Sequence, residues 1–89
     1  MIKVNFLSIF QVMTDQRYVE IDPEKVSTVA ELMDYIRKEF PEIDRYFSKS
    51  SRLIGYSVNV AVNGQLVSSL DYRLAPDARV TLMVPFSAG

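Results

Sequence analysis

Residues 28–41 read TVAELMDYIRKEFP, and this stretch decides the fold because it carries the one long helix signal in the chain. Thr28 places a hydroxyl where it can accept from a free first-turn amide, and Glu31 follows three residues later as the second half of a capping box. Val29, Leu32, Met33, Ile36 and Phe40 then recur at helical spacing, which turns Glu31, Asp34, Arg37 and Lys38 toward water. Pro41 ends the run, because the residue before a proline is pushed out of helical dihedrals.

Toward the N-terminus, Ile2, Val4 and Phe6 alternate with Lys3 and Asn5, which predicts a strand over residues 2–8 with one face buried. Leu7, Ile9, Phe10 and Val12 prolong its apolar character. Thr14, Asp15 and Gln16 can turn the chain, after which Tyr18, Val19, Glu20 and Ile21 read as a second strand ending at Asp22-Pro23. These two strands are expected to form an antiparallel hairpin.

On the other side of the helix, residues 42–56 mix Ile43, Tyr46, Phe47, Leu53 and Ile54 with serines and basic residues, and read as a short helical turn followed by a loop. Val58, Val60 and Val62 alternate with Asn59 and Ala61. Asn63-Gly64 then gives a two-residue hairpin turn, since both positions tolerate positive φ, and Gln65, Leu66 and Val67 return as a short strand. Ala75-Pro76-Asp77-Ala78 marks another turn, residues 79–84 alternate as the last strand, and Pro85 stops it.

The predicted order is β-β-α-β-β-β, an α+β arrangement with a mixed sheet of four to five strands under one main helix. Parallel pairing of the first and last strands would let the helix cross the sheet between them. Residues 1–84 are expected to form the folded domain, and residues 85–89 an extended, flexible C-terminal tail.

Composition narrows the function classes. With 89 residues there is room for one core, and 48% hydrophobic content argues for a folded one. The chain has no cysteine and no histidine, which removes the usual zinc sites, Ser-His-Asp triads, Cys-His dyads and the commonest general base. A free-standing enzyme is therefore disfavoured, and no metal site is expected. A net charge of −1 gives no electrostatic reason to bind nucleic acid or a membrane surface. The alternating start lacks the pattern of a signal peptide, and no window approaches the roughly 18–20 apolar residues of a membrane span, so a cytoplasmic location is the expectation.

Most charged residues have ordinary readings. Asp22, Glu24, Glu31 and Asp34 read as solvated surface rather than paired catalytic carboxylates, since Glu31 already has a capping task. Arg37, Lys38, Arg45, Lys49 and Arg52 gather basic charge between helix and loop, and a solvent-facing surface is favoured over an anion or partner site. The tail is different, because Phe86 is a large apolar residue beyond the last strand, where a monomer has few ways to bury it. Phe10, Leu66, Met83 and Phe86 are candidates for a shared apolar docking surface.

Taken in order, the strand Ile2 to Phe6, the helix opening Thr28-Val29-Ala30-Glu31-Leu32, the hairpin Val60-Ala61-Val62-Asn63-Gly64 and the ending Asp77-Ala78-Arg79-Val80 to Pro85-Phe86-Ser87-Ala88-Gly89 resemble the MoaD/ThiS family of sulfur carriers, ubiquitin-like β-grasp proteins. The similarity runs through most of the chain. Its length, and the segment between Pro41 and Tyr56, look closer to MoaD, the small subunit of molybdopterin synthase.

The resemblance implies chemistry on the chain terminus. An adenylating, E1-like partner enzyme would use ATP to activate the carboxylate of Gly89, sulfur would replace AMP to give a thiocarboxylate, and the large molybdopterin synthase subunit would direct that sulfur into a pterin precursor. No cofactor would be bound by the chain itself. Pro85, Phe86, Ser87 and Ala88 would be the partner-binding residues that carry Gly89 into a narrow channel. A terminal glycine suits such a channel because it has no Cβ, and five extended residues project up to about 17 Å. Ala88 departs from the pattern, standing where this family normally has the first glycine of a terminal pair. That departure keeps two alternatives open, a ThiS-like carrier of the thiamine pathway and a ubiquitin-like binding module with no activated terminus.

Overall fold

The computed structural model describes residues 1–46 and 58–83. Eight elements follow in order: β1 (Ile2–Phe6), α1 (Ile9–Thr14), β2 (Tyr18–Ile21), α2 (Val29–Glu39), a 3-10 turn (Pro41–Tyr46), β3 (Asn59–Val62), β4 (Gln65–Val67) and β5 (Arg79–Met83). The strands make one mixed sheet in the order β2-β1-β5-β3-β4. β1 and β5 run parallel with Phe6 opposite Leu82, whereas β1–β2, β3–β5 and β3–β4 are antiparallel. This is the ubiquitin-like β-grasp architecture.

Strand alternation sorts the side chains onto two faces. Ile2, Val4, Phe6, Val60, Val62, Val80 and Leu82 are buried, and they meet Val29, Leu32, Met33 and Ile36 of α2. Phe40 packs half-buried against this core, and Ile43 of the 3-10 turn is fully buried in it. The helix begins as its sequence dictates, with Thr28 Oγ1 accepting from the Glu31 amide at 3.2 Å. Glu31 does reach back, but to the residue before the cap: its Oε1 accepts from the Ser27 amide at 2.8 Å and the Ser27 hydroxyl at 2.9 Å. Two more first-turn amides, those of Val29 and Ala30, donate to the carbonyls of Tyr72 and Leu70. The loop after β4 therefore satisfies helix donors that would otherwise need water.

The predicted extension of the first strand to residue 8 does not occur. β1 stops at Phe6, and Ser8, at φ 54° and ψ −128°, turns the chain into the short helix α1. The pull is burial: helical spacing places Phe10 fully inside the core with Ile9 and Met13 packed beside it, which a continued strand could not do for neighbouring residues. Thr14 caps the arrangement by donating its hydroxyl to the Phe10 carbonyl at 2.8 Å, and Asp15 leaves in the left-handed region. β1 and β2 are paired in antiparallel fashion as expected, but a helix rather than a tight turn joins them.

Among the described residues the remaining expectations match within a residue, and the loop expected after the helical turn lies outside them over residues 47–57. Asn63 and Gly64 take φ 52° and 87°, and Asn63 Oδ1 accepts from the Arg79 amide at 2.9 Å, tying the hairpin turn to β5. The Ala78 amide closes the predicted turn onto the Ala75 carbonyl at 3.0 Å. Among the described residues no helix is long and apolar enough to cross a membrane.

Candidate functional site

Pro85, Phe86, Ser87, Ala88 and Gly89, the residues on which the sequence concentrates function, lie outside the described residues, as does the boundary at residue 84. What is described is the root from which they leave. β5 is the central strand, bonded to β1 on one side and β3 on the other, with Asn59 opposite Met83 and the Leu7 amide donating to the Leu82 carbonyl at 3.1 Å. A strand held on both edges has little freedom to swing or slip. The launch point at Met83 is thus fixed relative to the whole sheet.

The sheet face opposite α2 carries no helix or strand layer among the described residues. Across it runs the row Tyr18, Asn5, Thr81, Ala61 and Leu66, one residue from each strand, set by the pairings of Asn5 with Tyr18 and Thr81 and of Ala61 with Thr81 and Leu66. Leu66 is 68% exposed and Tyr18 47% exposed. Lys3 lies on the same face beside Arg79 and Glu20, and its ammonium sits 4.2 Å from the centre of the Tyr18 ring. The face is apolar at the β4 edge and cationic over β1 and β5.

Two of the four residues expected in an apolar docking surface fit this face. Leu66 stands out from it, and Met83 is half-buried at the foot of the tail. Phe10 does not belong, because α1 folds it wholly into the core. Phe86 falls outside the described residues.

At the tail end of the sheet a groove of about 430 Å³ is lined by Asn5, Phe6, Leu7, Gln11, Arg17 and Thr81. Leu7 supplies exposed apolar surface and Arg17 the only charge among those six residues. This groove is not among the sequence-based expectations, because it depends on α1. The spacing of Ile9, Phe10 and Met13, read as i, i+1 and i+4, is the signal that points to a helix there.

The carboxylates have structural tasks. Asp22 Oδ1 accepts from the Glu24 amide at 2.9 Å, and Asp34 meets Arg37 at 4.0 Å on the exposed helix face. Glu31 is held below its ordinary pKa chiefly by the Ser27 amide, then by the Ser27 hydroxyl. Of the basic group, Arg37 and Lys38 line a surface groove with Asp34 and Pro41. The Arg45 side chain, Lys49 and Arg52 fall outside what is described. Among the described residues no three His, Cys, Asp or Glu side chains gather as a metal site.

Comparisons with known proteins agree with this geometry. The ThiS family model matches residues 7–89. Small archaeal modifier protein 1 from Haloferax volcanii is similar with a TM-score of 0.82 at 22% identity, covering 99% of this chain and 98% of that one. A Pyrococcus furiosus chain assigned as molybdopterin converting factor subunit 1 gives a TM-score of 0.77 at 26% identity, covering 96% and 97%. A chain of the Amycolatopsis orientalis BexX/CysO complex gives 0.80 at 22% identity, covering all of both. No curated protein matches the sequence.

Proposed function

This chain belongs to the ThiS family, among the sulfur carriers and ubiquitin-like small modifiers, and we propose that it works as a sulfur carrier activated at Gly89, as the small subunit of a molybdopterin synthase. The observation that carries the reading is the root of the tail: the central strand β5, clamped by β1 and β3, ends at Met83, six positions before Gly89 in the sequence. A rigid body with a short reactive extension suits delivery of one carboxylate into a partner's active site. The likeness to the Pyrococcus furiosus converting-factor subunit supports the choice of pathway.

In this reading an adenylating enzyme holds ATP, and a carboxylate oxygen of Gly89 attacks the α-phosphorus. Pyrophosphate leaves, and an acyl adenylate remains. A sulfide-level donor adds to the acyl carbon and AMP departs with the electron pair of the broken C–O bond, leaving a thiocarboxylate. The large synthase subunit then receives the tail, with Pro85, Phe86, Ser87 and Ala88 as the partner-binding residues that carry Gly89 into its channel. The chain itself binds no cofactor, and ATP belongs to the activating partner. Such a partnership needs the ATP of the cytoplasm.

Intact-mass measurement of the full chain after incubation with a cognate adenylating enzyme, ATP and a sulfur donor tests this directly. The expected product has one carboxylate oxygen replaced by sulfur. An unchanged mass, under conditions where a relative ending in Gly-Gly reacts, overturns the reading. Ala88 favours a second reading, a docking module with no activated terminus. Deleting Ala88 and Gly89 separates the two, since a carrier loses all sulfur transfer whereas a docking module keeps its partner affinity.

A further inference from the structure

The geometry points to the outer edge of β2 as the docking site for β2 of a second copy of this chain, paired antiparallel about Val19 so that two five-stranded sheets join into one. The pairing belongs to the free protein and does not depend on the sulfur-carrier reading.

The backbone of β2 alternates between its two sides. The Phe6 amide donates to the Arg17 carbonyl at 2.8 Å, which makes Phe6 and Arg17 a hydrogen-bonded pair and fixes the alternation along the ladder. Val19 and Ile21 therefore bond to β1, while the amides and carbonyls of Tyr18 and Glu20 point away from it. β2 stands at the end of the strand order, and among the described residues no hydrogen bond reaches those outward groups. The opposite edge, β4, is only three residues long. β2 has no proline, lysine or bulge, the devices that commonly keep an edge from pairing.

Register follows from which neighbours are already engaged. Outward residues must meet outward residues, which allows Tyr18 on Tyr18, Glu20 on Glu20, or Tyr18 on Glu20. The first sets Glu20 opposite Gln16, whose amide and carbonyl are both taken by the Thr14 hydroxyl at 3.2 and 3.3 Å. The second puts two carboxylates directly opposite each other. It also sets Tyr18 against Asp22, whose carbonyl already accepts from the Lys25 amide at 2.9 Å. Tyr18 on Glu20 uses every outward group: each such pair exchanges two hydrogen bonds, and the twofold axis supplies a second pair. The two Val19 Cα atoms then lie about 4.5 Å apart across the axis.

Side chains match in that register. Within one chain Glu20 is aligned with Lys3, yet the Lys3 ammonium sits 4.2 Å from the centre of the Tyr18 ring. Among the described residues Glu20 makes no ion pair. Across the seam Glu20 stands opposite Tyr18 of the second copy, and so beside the Lys3 ammonium held on that ring. Opposite charges thus meet twice by symmetry. On the other side of the sheet the half-buried Val19, already packed against the core, meets its own copy and continues the apolar layer. The axis is perpendicular to the sheet, so both open faces lie on one side of the dimer. A seam of one short strand gives a weak, transient dimer.

Sedimentation velocity of the full chain over a dilution series from millimolar to micromolar, with amide shifts followed by nuclear magnetic resonance, tests the seam. A monomer–dimer equilibrium is expected, with concentration-dependent shifts at residues 17–21 and none at 65–67. Glu20→Pro should abolish dimerisation, because the amide it removes faces away from β1 and the ladder survives. Glu20→Lys should weaken dimerisation about tenfold, since two attractive cross-strand pairs become repulsive. The Val4 and Leu82 amides report whether the sheet of each variant is intact. A parent that stays monomeric at millimolar concentration overturns the proposal. So do a dimer that survives Glu20→Pro with its sheet intact, and shifts that follow concentration at β4 instead of β2. A dimer of unaltered affinity in Glu20→Lys overturns the register.

Discussion

The ring of Phe6, the last residue of β1, meets the ring of Phe40, the C-cap of α2 before Pro41, edge to face at 5.5 Å and 77°. This contact ties the end of α2 to the strand that neighbours the tail-bearing strand. Edge-to-face pairs contribute about 0.5–1.5 kcal/mol beyond the area they bury. A double-mutant cycle of Phe6→Leu and Phe40→Leu, followed by urea denaturation, should therefore give a coupling near 1 kcal/mol. Strict additivity would mean that the rings touch without interacting.

Glu31 predicts a pH dependence. Its folded pKa lies below the ordinary value of 4.5 because the Ser27 amide and hydroxyl donate to the ionised form. The unfolded chain then binds the proton more readily, so the carboxylate's contribution is fully present above 4.5 and is lost as pH falls through the lowered folded value. The stability gap between the parent and Glu31→Ala should be constant from pH 7 to about 5.5 and shrink below that. A gap that is unchanged at pH 3 assigns the effect to packing instead.

Asn63 has two tasks, a left-handed backbone at φ 52° and a side-chain bond to the Arg79 amide. Asn63→Ala loses both and should cost about 1–2 kcal/mol. Asn63→Asp keeps an acceptor and tolerance of that φ, and should stay within about 0.5 kcal/mol of the parent. Thermal or urea unfolding of the two variants side by side checks the ordering.

Leu66 separates stability from docking. At 68% exposure its side chain adds little to the fold, so Leu66→Asp should change unfolding free energy by no more than about 0.5 kcal/mol. If the open face docks a larger partner, the same change should weaken binding tenfold or more, about 1.4 kcal/mol. Calorimetric titration with the adenylating enzyme reads this, and unaltered affinity would move the docking surface elsewhere.

Ala88 lies beside the proposed reacting carboxylate and beyond the strand that completes the core. Ala88→Gly should leave unfolding unchanged and accelerate adenylation of Gly89, whereas Ala88→Val should slow it. Rates of pyrophosphate release give the comparison. Equal rates for all three chains would show that passage of the tail is not limited by the methyl group.

Legibility in the sequence followed how local each signal was. α2 could be read because Thr28, Glu31 and Pro41 mark its ends and its apolar spacing is regular. The β3–β4 turn could be read because Asn63-Gly64 fits few other conformations. α1 could not, since its short apolar run also suits a strand and only the burial of Phe10 against distant residues chooses the helix. The open face was equally hidden: alternation pairs Leu66 with Ala61 and Thr81 only once register is known. The tail was singled out by resemblance and by the placement of Phe86, neither of which depends on the sheet.

The central position of β5 has a consequence for how the protein is made. Its partner β1 is translated first and β5 nearly eighty residues later, so the middle of the sheet cannot close while the ribosome still shields residues 79–83. Contacts this distant in sequence also make folding slower than in a helical domain of the same size. Until β5 arrives, β1 is paired only with β2 and β3 only with β4, and each keeps one open edge. Folding is therefore late in its decisive step, because the two halves of the sheet become one only when β5 has joined β1 and β3.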